Sequence, residues 1–307
     1  MGHHYLDDSM VHYQWDRSIP PRLSIASGET VTFSCREASD GHYHPSRTLE
    51  EMTQPRQFKG HPLTGPVYIE GAEPGDSLAV EILDLRHKGW GWTVSATHGG
   101  LLQGEFDFML KLWELGADGF TELRPGIRIP IEPFPGIVGV APAEPGPHPT
   151  GPPGRHGGNL DIRHLVAGST LYLPVLVPGA LLSAGDCHAA QGDGEVSLTA
   201  IEAPMDLTLR IHLRKGVAIP GPRFKTPSPL TRADTRGYFA TAGIQPDLME
   251  ATKEAIRQMV GHLVQEYGLS REEAYILCSV AVDLKISEVV DAPNWTVSAY
   301  LPLSIFA

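Results

Sequence analysis

Turn-forming residues divide this chain into short segments, and this division limits the available folds more than any other feature. The sequence has 33 glycines and 27 prolines spread along 307 residues. Two of the intervening segments, residues 31–35 and 78–82, each follow a turn and alternate apolar with polar side chains. A period of two places the apolar side chains on one face of a β-strand. The sequence therefore predicts a mainly β body, built as a sandwich or a barrel.

The C-terminal third has a different periodicity, which predicts two helices. Asp247 can cap a helix whose apolar residues follow helical spacing as far as Tyr267, and Gly268 is suited to end it. Ser270 and Glu273 have the spacing of a capping box, in which each residue satisfies a backbone N–H of the other. We therefore predict a long helix followed directly by a shorter one.

Two strands are predicted after these helices. Residues 282–287 alternate like a half-buried strand, and residues 295–301 form the last strand. We therefore predict a β-rich body at residues 1–215 that carries the active site. An α+β portion at residues 216–307 is predicted to pack on this body.

Bulk composition excludes several classes of function. The formal net charge is −12, which disfavours nucleic acid and anionic membranes as partners because both would repel an acidic surface. No apolar run approaches the roughly 20 residues of a membrane-spanning helix, and the first residues do not resemble a secretory signal. The three cysteines, Cys35, Cys187 and Cys278, are odd in number and far apart. We expect free thiols and a cytoplasmic protein.

The strongest chemical signal is the segment Gly-Asp-Cys-His-Ala-Ala-Gln-Gly-Asp-Gly-Glu at residues 185–195. On a strand, Asp186 and His188 would point to the same face, and a tight turn at residues 192–194 would bring Glu195 back beside them. Carboxylate and imidazole ligands together suit Zn²⁺ or a similar ion with one position left for water. The alternative is a polar hairpin tip whose side chains satisfy only backbone groups.

A second polar cluster lies upstream, in the segment Arg-His-Gly-Gly-Asn-Leu-Asp at residues 155–161. Its paired glycines would let the backbone approach a ligand closely, while His156, Asn159 and Asp161 offer a proton shuttle, an amide and a carboxylate. The same residues could instead form a glycine turn in which Asn159 or Asp161 bonds its own backbone.

Together the two clusters resemble the signature segments of the acetamidase/formamidase family. The resemblance continues in residues 67–76, 168–175 and 281–294, and so spans the chain. It implies hydrolysis of short linear amides, such as formamide or acetamide, to ammonia and a carboxylate. It also implies a β-rich fold with an α+β portion, a homo-oligomer, and a bound divalent metal, either zinc or calcium.

On this basis we expect the metal to be held by Asp186, His188 and Glu195. Glu195 could instead be the general base of the reaction. Asp161 could be a further ligand, or it could orient His188 through the second ring nitrogen.

The remaining roles fall on the upstream segment and one glutamine. We expect His156 to deliver a proton to the departing ammonia, with Asp161 as a further catalytic residue. Asn159, Gly158 and Gln191 are the predicted substrate contacts.

Four other hypotheses stay open at this point. A Cys187 thiolate could attack the amide without any metal, although adjacent strand residues face opposite sides and Cys187 should point away from His188. The chain could be a non-catalytic binding protein of the same fold, or a hydrolase of another amide-like C–N bond. His42 and His44 could hold a metal or line a substrate pocket.

Overall fold

The structure confirms the predicted fold class. The computed structural model describes residues 2–227, 231–288, 293 and 295–306. Strands account for 38% of the chain and helices for 13%, with the longer helices near the C-terminus. Of the helices described, none combines the length and the apolarity that crossing a bilayer requires.

The strands are short and follow one another closely along the chain. Their bounds are β1 (His3–Leu6), β2 (Val11–His12), β3 (Gln14–Trp15), β4 (Leu23–Ile25), β5 (Thr30–Cys35), β6 (Leu63–Ile69), β7 (Ser77–His87), β8 (Trp90–Ser95), β9 (Met109–Glu114), β10 (Phe120–Arg124), β11 (Ile127–Pro130), β12 (Phe134–Gly139), β13 (His148–Pro149), β14 (Gly157–Asn159), β15 (Thr170–Pro174), β16 (Leu182–His188), β17 (Met205–Arg214), β18 (Arg223–Lys225), β19 (Tyr238–Gln245), β20 (Asp283–Glu288) and β21 (Trp295–Pro302). The helices are α1 (Leu49–Thr53), α2 (Leu248–Tyr267) and α3 (Arg271–Ala281), and a 3₁₀ turn covers Leu303–Ile305.

The chain folds into two compact units, and each unit is assembled from separate stretches of sequence. The first unit comprises residues 1–90, 133–188 and 202–230. The second comprises residues 91–132, 189–201 and 231–307. The boundary near residue 215 stays a prediction from the sequence.

Two sheets form the first unit. One has the strand order β1-β5-β17-β7-β15-β18, and the other has the order β14-β12-β16-β6-β2, with β4 also paired to β6. Strand β5 of the first sheet contacts β16 and β6 of the second, so the sheets pack against each other as in a sandwich. Strand β17 has an apolar face for this packing, because its alternate residues are fully buried: Met205, Leu207, Leu209 and Ile211.

In the second unit, the predicted helices and the strands after them are confirmed. Asp247 caps α2 by accepting a hydrogen bond from the Glu250 N–H, and Gly268 ends this helix in the left-handed conformation with φ 59°. Ser270 and Glu273 form the complete capping box of α3. The strands pair in the order β19-β21-β20, and α2 packs on β19 and β21.

Candidate active site

The C-terminal end of β16 places Asp186 and His188 in one buried cluster. Asp186 has a left-handed backbone with φ 51°, which is uncommon for a residue with a side chain and interrupts the regular strand. Its Oδ1 lies 3.6 Å from Nε2 of His188. On the neighbouring strand, the ring of Phe134 meets the His188 imidazole edge to face at 5.1 Å between centroids. The predicted pairing of the two residues is therefore present.

Asp161 reaches the same cluster from the loop after β14. It also has a left-handed backbone, with φ 48°, and its N–H donates to the carbonyl of Gly136. The Asp161 Oδ1 atom lies 3.9 Å from Nδ1 of His188. Asp161 therefore lies on the opposite ring nitrogen from Asp186, where a carboxylate can fix the ring orientation.

Gly136 in β12 makes room for this arrangement. A Cβ atom at this position would lie 2.7 Å from the carbonyl oxygen of Asp186 and 2.8 Å from both Asp161 Oδ1 and His188 Cε1. Real Cβ atoms essentially never approach other heavy atoms so closely. The three polar residues can therefore converge only because this strand residue has no side chain.

Glu202 is a member of the cluster that the sequence analysis missed. It forms an isolated antiparallel bridge with His188, held by a hydrogen bond from the Ala203 N–H to the Cys187 carbonyl at 2.9 Å. The Glu202 Oε2 atom lies 3.3 Å from His188 Nε2. The only signal in the sequence is a lone charged residue between the apolar Ile201 and Ala203.

The hairpin predicted after His188 is wrong in its second half. Residues 193–194 do form a turn, but Glu195 begins no strand and has a left-handed backbone with φ 47°. The residue that returns opposite His188 is Glu202. Glu195 lies in the second unit, and its role as ligand or base stays a prediction.

His61 is a second residue that the sequence analysis missed. Its N–H donates to the hydroxyl of Thr150 at 2.8 Å, and its Nδ1 lies 3.0 Å from the same oxygen. These contacts turn Nε2 toward the cluster, where it lies 3.8 Å from Oδ2 of Asp186. Nothing in the local Gly-His-Pro sequence distinguishes this histidine from a surface one.

Burial and mutual charge shift the protonation of the cluster. Burial alone would raise the pKa of Asp186, but His61 and His188 hold it well below its usual range. Burial alone would lower the pKa of His188, but Glu202 and Asp186 raise it well above that of an ordinary histidine. Burial raises the pKa of Glu202 to about 8. The charge of His188 opposes this rise, and the charge of Asp186 adds to it. Glu202 is the carboxyl group of the cluster that burial favours in its protonated form, and a cation bound nearby would favour its ionised form instead.

The donor set also fits a divalent metal. Asp161, Asp186 and His188 each offer one ligand atom, and these atoms all lie within 4.8 Å of one another. Oxygen and imidazole donors suit zinc, and three protein ligands would leave a coordination position for water or substrate. The metal-site prediction for Asp186 and His188 thus has a geometric basis.

The other predicted site residues lie in varied surroundings. The His156 ring packs edge to face against Trp15 at 5.2 Å between centroids, and burial lowers its pKa. Asn159 pairs with Ile137 in the sheet, and Gly158 beside it has φ 85°. Gln191 is buried in the second unit. Their roles in catalysis or substrate binding stay predictions.

The environment of Cys187 disfavours thiol chemistry. Its thiol is fully buried and pairs with Cys35 of the facing sheet. The hydrogen bond with Cys35, together with burial, raises the pKa of Cys187 well above that of an ordinary thiol. Nucleophilic attack requires the thiolate, so this environment suppresses the attacking form.

Known proteins match the chain over nearly its whole length. A family model described as the Acetamidase/Formamidase family matches residues 3–149 and 144–307. A formamidase from Methylophilus methylotrophus is 29% identical, over 97% of this chain and 90% of its own length. A gamma lactamase from Delftia acidovorans superposes with a TM-score of 0.90 at 28% identity, covering 99% of this chain and 93% of that one. An acetamidase from Bacillus halodurans gives a TM-score of 0.68 at 33% identity, covering 97% of both chains.

Proposed function

The chain belongs to the acetamidase/formamidase family, and from this premise we propose that it hydrolyses short linear amides to ammonia and a carboxylate. The observation that carries the proposal is the cluster of Asp161, Asp186, His188 and Glu202. Asp186, His188 and Glu202 are each no more than 3% exposed. A site so enclosed by protein favours a substrate of a few heavy atoms.

The metal proposal rests on the donor set of the same cluster. We propose that Asp186 and His188 hold a divalent cation, with Asp161 either as a third ligand or as the group that orients the His188 ring. A divalent cation held there would supply a Lewis acid, which lowers the pKa of water and polarises a carbonyl. Zinc suits this mixture of carboxylate and imidazole ligands better than calcium, which prefers oxygen ligands alone.

Two side chains of the cluster are suited to move protons. The Glu202 Oε2 atom lies 3.3 Å from His188 Nε2, and a cation held by Asp186 and His188 would favour the ionised form of this carboxyl group, which can accept a proton. We propose that it accepts a proton from water as the water oxygen bonds to the carbonyl carbon. His61 lies beside Asp186 and would give a proton to the nitrogen as the C–N bond breaks. His61 takes the role that the sequence analysis gives to His156, because His61 contacts the cluster and His156 packs on Trp15.

The principal test measures ammonia release from formamide, acetamide and propionamide before chelation, after chelation, and after Zn²⁺ or Ca²⁺ is restored. We expect activity to fall at least a hundredfold on chelation and to return with one of the two metals. Asp186→Asn should abolish the return, whereas Asp84→Asn should retain it. Asp84 is a matched control because it is a carboxylate on β7, paired with Arg86 at 2.6 Å.

Two results would contradict the mechanism. Full activity in chelator, with its loss in Cys187→Ala, would favour attack by the thiol. Failure to release ammonia from any of the three amides, by a protein that remains folded, would refute linear amides as substrates.

The second candidate function is opening of a γ-lactam ring. The TM-score to the gamma lactamase is 0.90, against 0.68 to the Bacillus halodurans acetamidase. A lactam contains the same C–N bond, but its nitrogen stays attached to the product and no ammonia is released. Assay of 2-pyrrolidinone for ring opening to the amino acid separates this activity from hydrolysis of linear amides.

A further inference from the structure

The first unit contains a cation-lined pocket whose wall includes Gly60, the residue before His61 of the cluster. We call it the cationic pocket and define it by Tyr13, His42, Arg47, Arg56, Lys59 and Gly60. Its volume is about 240 Å³, which is room for several water molecules or a small anion. Gly60 forms part of its wall, and the next residue, His61, points at Asp186 with 3.8 Å between Nε2 and Oδ2. One short stretch of chain therefore connects the pocket with the cluster.

Three positively charged side chains surround this pocket. Arg56 donates to the backbone carbonyls of Ala38 and Ser39, and Arg47 donates to the carbonyl of His42 at 3.3 Å. Among the residues that the structure describes, Arg47, Arg56 and Lys59 form no ion pair within 4.0 Å, although Arg47 acts electrostatically on Glu51 and Arg56 on Asp40. The chain as a whole has a net charge of −12. Its composition therefore does not predict a concavity that is lined by three cations without an ion pair.

The acidic residue in the pocket wall is engaged elsewhere. Asp40 accepts a hydrogen bond from the Tyr13 hydroxyl at 2.7 Å and another from Arg36 at 2.9 Å. Its carboxylate is engaged by these partners, and Arg56 also acts on it electrostatically. The pocket lining has three cations and this one carboxylate, so an excess of positive charge remains for a ligand.

We propose that the cationic pocket is a subsite for the carboxylate group of a small molecule that the catalytic cluster acts on. This inference rests on the proposed amide hydrolysis. The cluster presents carboxylates of its own, so an anionic group would be repelled there and attracted to the pocket. An amide with a carboxylate at its far end would place the neutral amide at His61 and Asp186, and the anionic end among Arg47, Arg56 and Lys59.

The same chemistry could serve the carboxylate that the reaction releases. Both sources use one contact, a carboxylate against guanidinium and ammonium groups. If the pocket binds a distal carboxylate of the substrate, this contact raises kcat/KM for anionic amides. A released carboxylate would instead appear as product inhibition by formate or acetate.

The test uses Arg47→Gln combined with Lys59→Gln, since Arg56 donates to two backbone carbonyls and Arg47 to only one. Arg86→Gln is the matched control, because it removes one positive charge from the same unit at an exposed strand position. The substrates are acetamide, oxamate, malonamate and succinamate, which differ in the presence of a carboxylate and in its distance from the amide. Binding of malonate, formate and acetate is measured in parallel by calorimetry without turnover.

For a substrate carboxylate, we expect the double variant to lose at least tenfold more kcat/KM on one anionic amide than on acetamide, and to bind malonate about tenfold more weakly. For a product carboxylate, it should instead relieve inhibition by formate or acetate. Arg86→Gln should change neither ratio by more than twofold. Raised salt should weaken both effects because the interaction is between charges.

The outcomes separate this inference from the proposed function. If the double variant hydrolyses acetamide, and if its anion binding and its kcat/KM ratios for anionic amides match those of wild type, the subsite alone is overturned. Weakened malonate binding in the double variant, with no hydrolysis of any amide by wild type, would overturn amide hydrolysis but support an anion site.

Discussion

Glu202 is the residue whose substitution tests the proposed chemistry most directly. Glu202→Gln keeps the shape of the side chain but removes the ionisable group that lies 3.3 Å from His188 Nε2. Because general acid–base groups typically contribute factors of about 10²–10⁴ to rate, we expect kcat on acetamide to fall by at least a hundredfold. The measurement is steady-state ammonia release at saturating acetamide.

Glu70→Gln provides the control, since Glu70 is exposed on a turn of the same unit. It should retain more than half of the wild-type kcat. A Glu202→Gln enzyme with similar kcat and an unchanged thermal midpoint would exclude a proton-transfer role for this carboxyl group.

Gly136 offers a test that leaves every polar residue of the cluster in place. In Gly136→Ala, the added methyl group would lie 2.7–2.8 Å from atoms of Asp161, Asp186 and His188, so these groups must move apart. We expect less bound metal per chain and at least tenfold lower activity, with little change in secondary structure. Metal analysis after dialysis and circular dichroism measure the two effects. Gly151→Ala should behave like wild type, because a Cβ there would meet nothing within 4 Å.

At the residue scale, sequence distance explains which site residues could be predicted. Asp186 and His188 are two positions apart, so local strand geometry already placed them together. Glu202 joins them through a single bridge to His188, and His61 joins through its contact with Asp186. Neither contact leaves a periodic or motif signal in the sequence. The returning strand predicted to begin at Glu195 is absent, but the role of Glu195 as ligand or base stays a prediction.

The helices and strands that could be predicted are those whose signals are local. The caps of α2 and α3 depend on residues within three or four positions, and both form as expected. Strand pairing is different, because β1 joins β5 in parallel while β17 joins β5 and β7 in one sheet. The alternation that identifies each strand does not determine its neighbours.

Two glycines of the second unit test how helix α2 is stabilised. Gly261 is exposed in the interior of α2, and a Cβ there would meet nothing within 4 Å. Gly261→Ala should therefore raise the free energy of unfolding by about 0.5–1 kcal/mol, because alanine restricts the unfolded chain and favours the helix. The measurement is urea unfolding followed by circular dichroism.

Gly243 on strand β19 is the contrasting position. A Cβ there would collide with the carbonyl oxygen of Ala251 and lie 2.7 Å from the nitrogen of Ala255 on α2. Gly243→Ala should lower the free energy of unfolding by about 1–3 kcal/mol, because the helix must move away from the sheet. Equal effects of the two substitutions would contradict this account of how α2 packs.

At the scale of the whole molecule, the sequence predicted the class of fold but not its interleaved assembly. Each of the two units gathers stretches from three parts of the chain. The assembly of such units depends on contacts between residues far apart in the sequence, whereas periodicity reports only on residues close together in the sequence.

Asp76 is one such long-range contact, and it makes stability depend on pH. Its carboxylate accepts hydrogen bonds from Lys215 Nζ at 2.8 Å, from the Gly216 N–H at 2.8 Å and from the Glu73 N–H at 2.9 Å. The hydrogen bond from Lys215, followed by those from the two backbone N–H groups, lowers the pKa of Asp76 to about 2 from an ordinary value of 3.8. Asp76 is thus bound more tightly as the carboxylate in the folded protein than in the unfolded chain.

The sign of the pH dependence follows from that lowered pKa. A carboxyl group whose pKa is depressed on folding stabilises the protein fully above its unfolded pKa, and this stabilisation is lost as the pH falls toward about 2. We therefore expect Asp76→Asn to lower the urea midpoint at pH 7 and pH 5 equally, with the gap to wild type narrowing below about pH 4. Asp84→Asn controls for the loss of one negative charge and should show a smaller gap at pH 7. A gap for Asp76→Asn that stays constant down to pH 3 would mean that the carboxylate charge does not stabilise this junction of the fold.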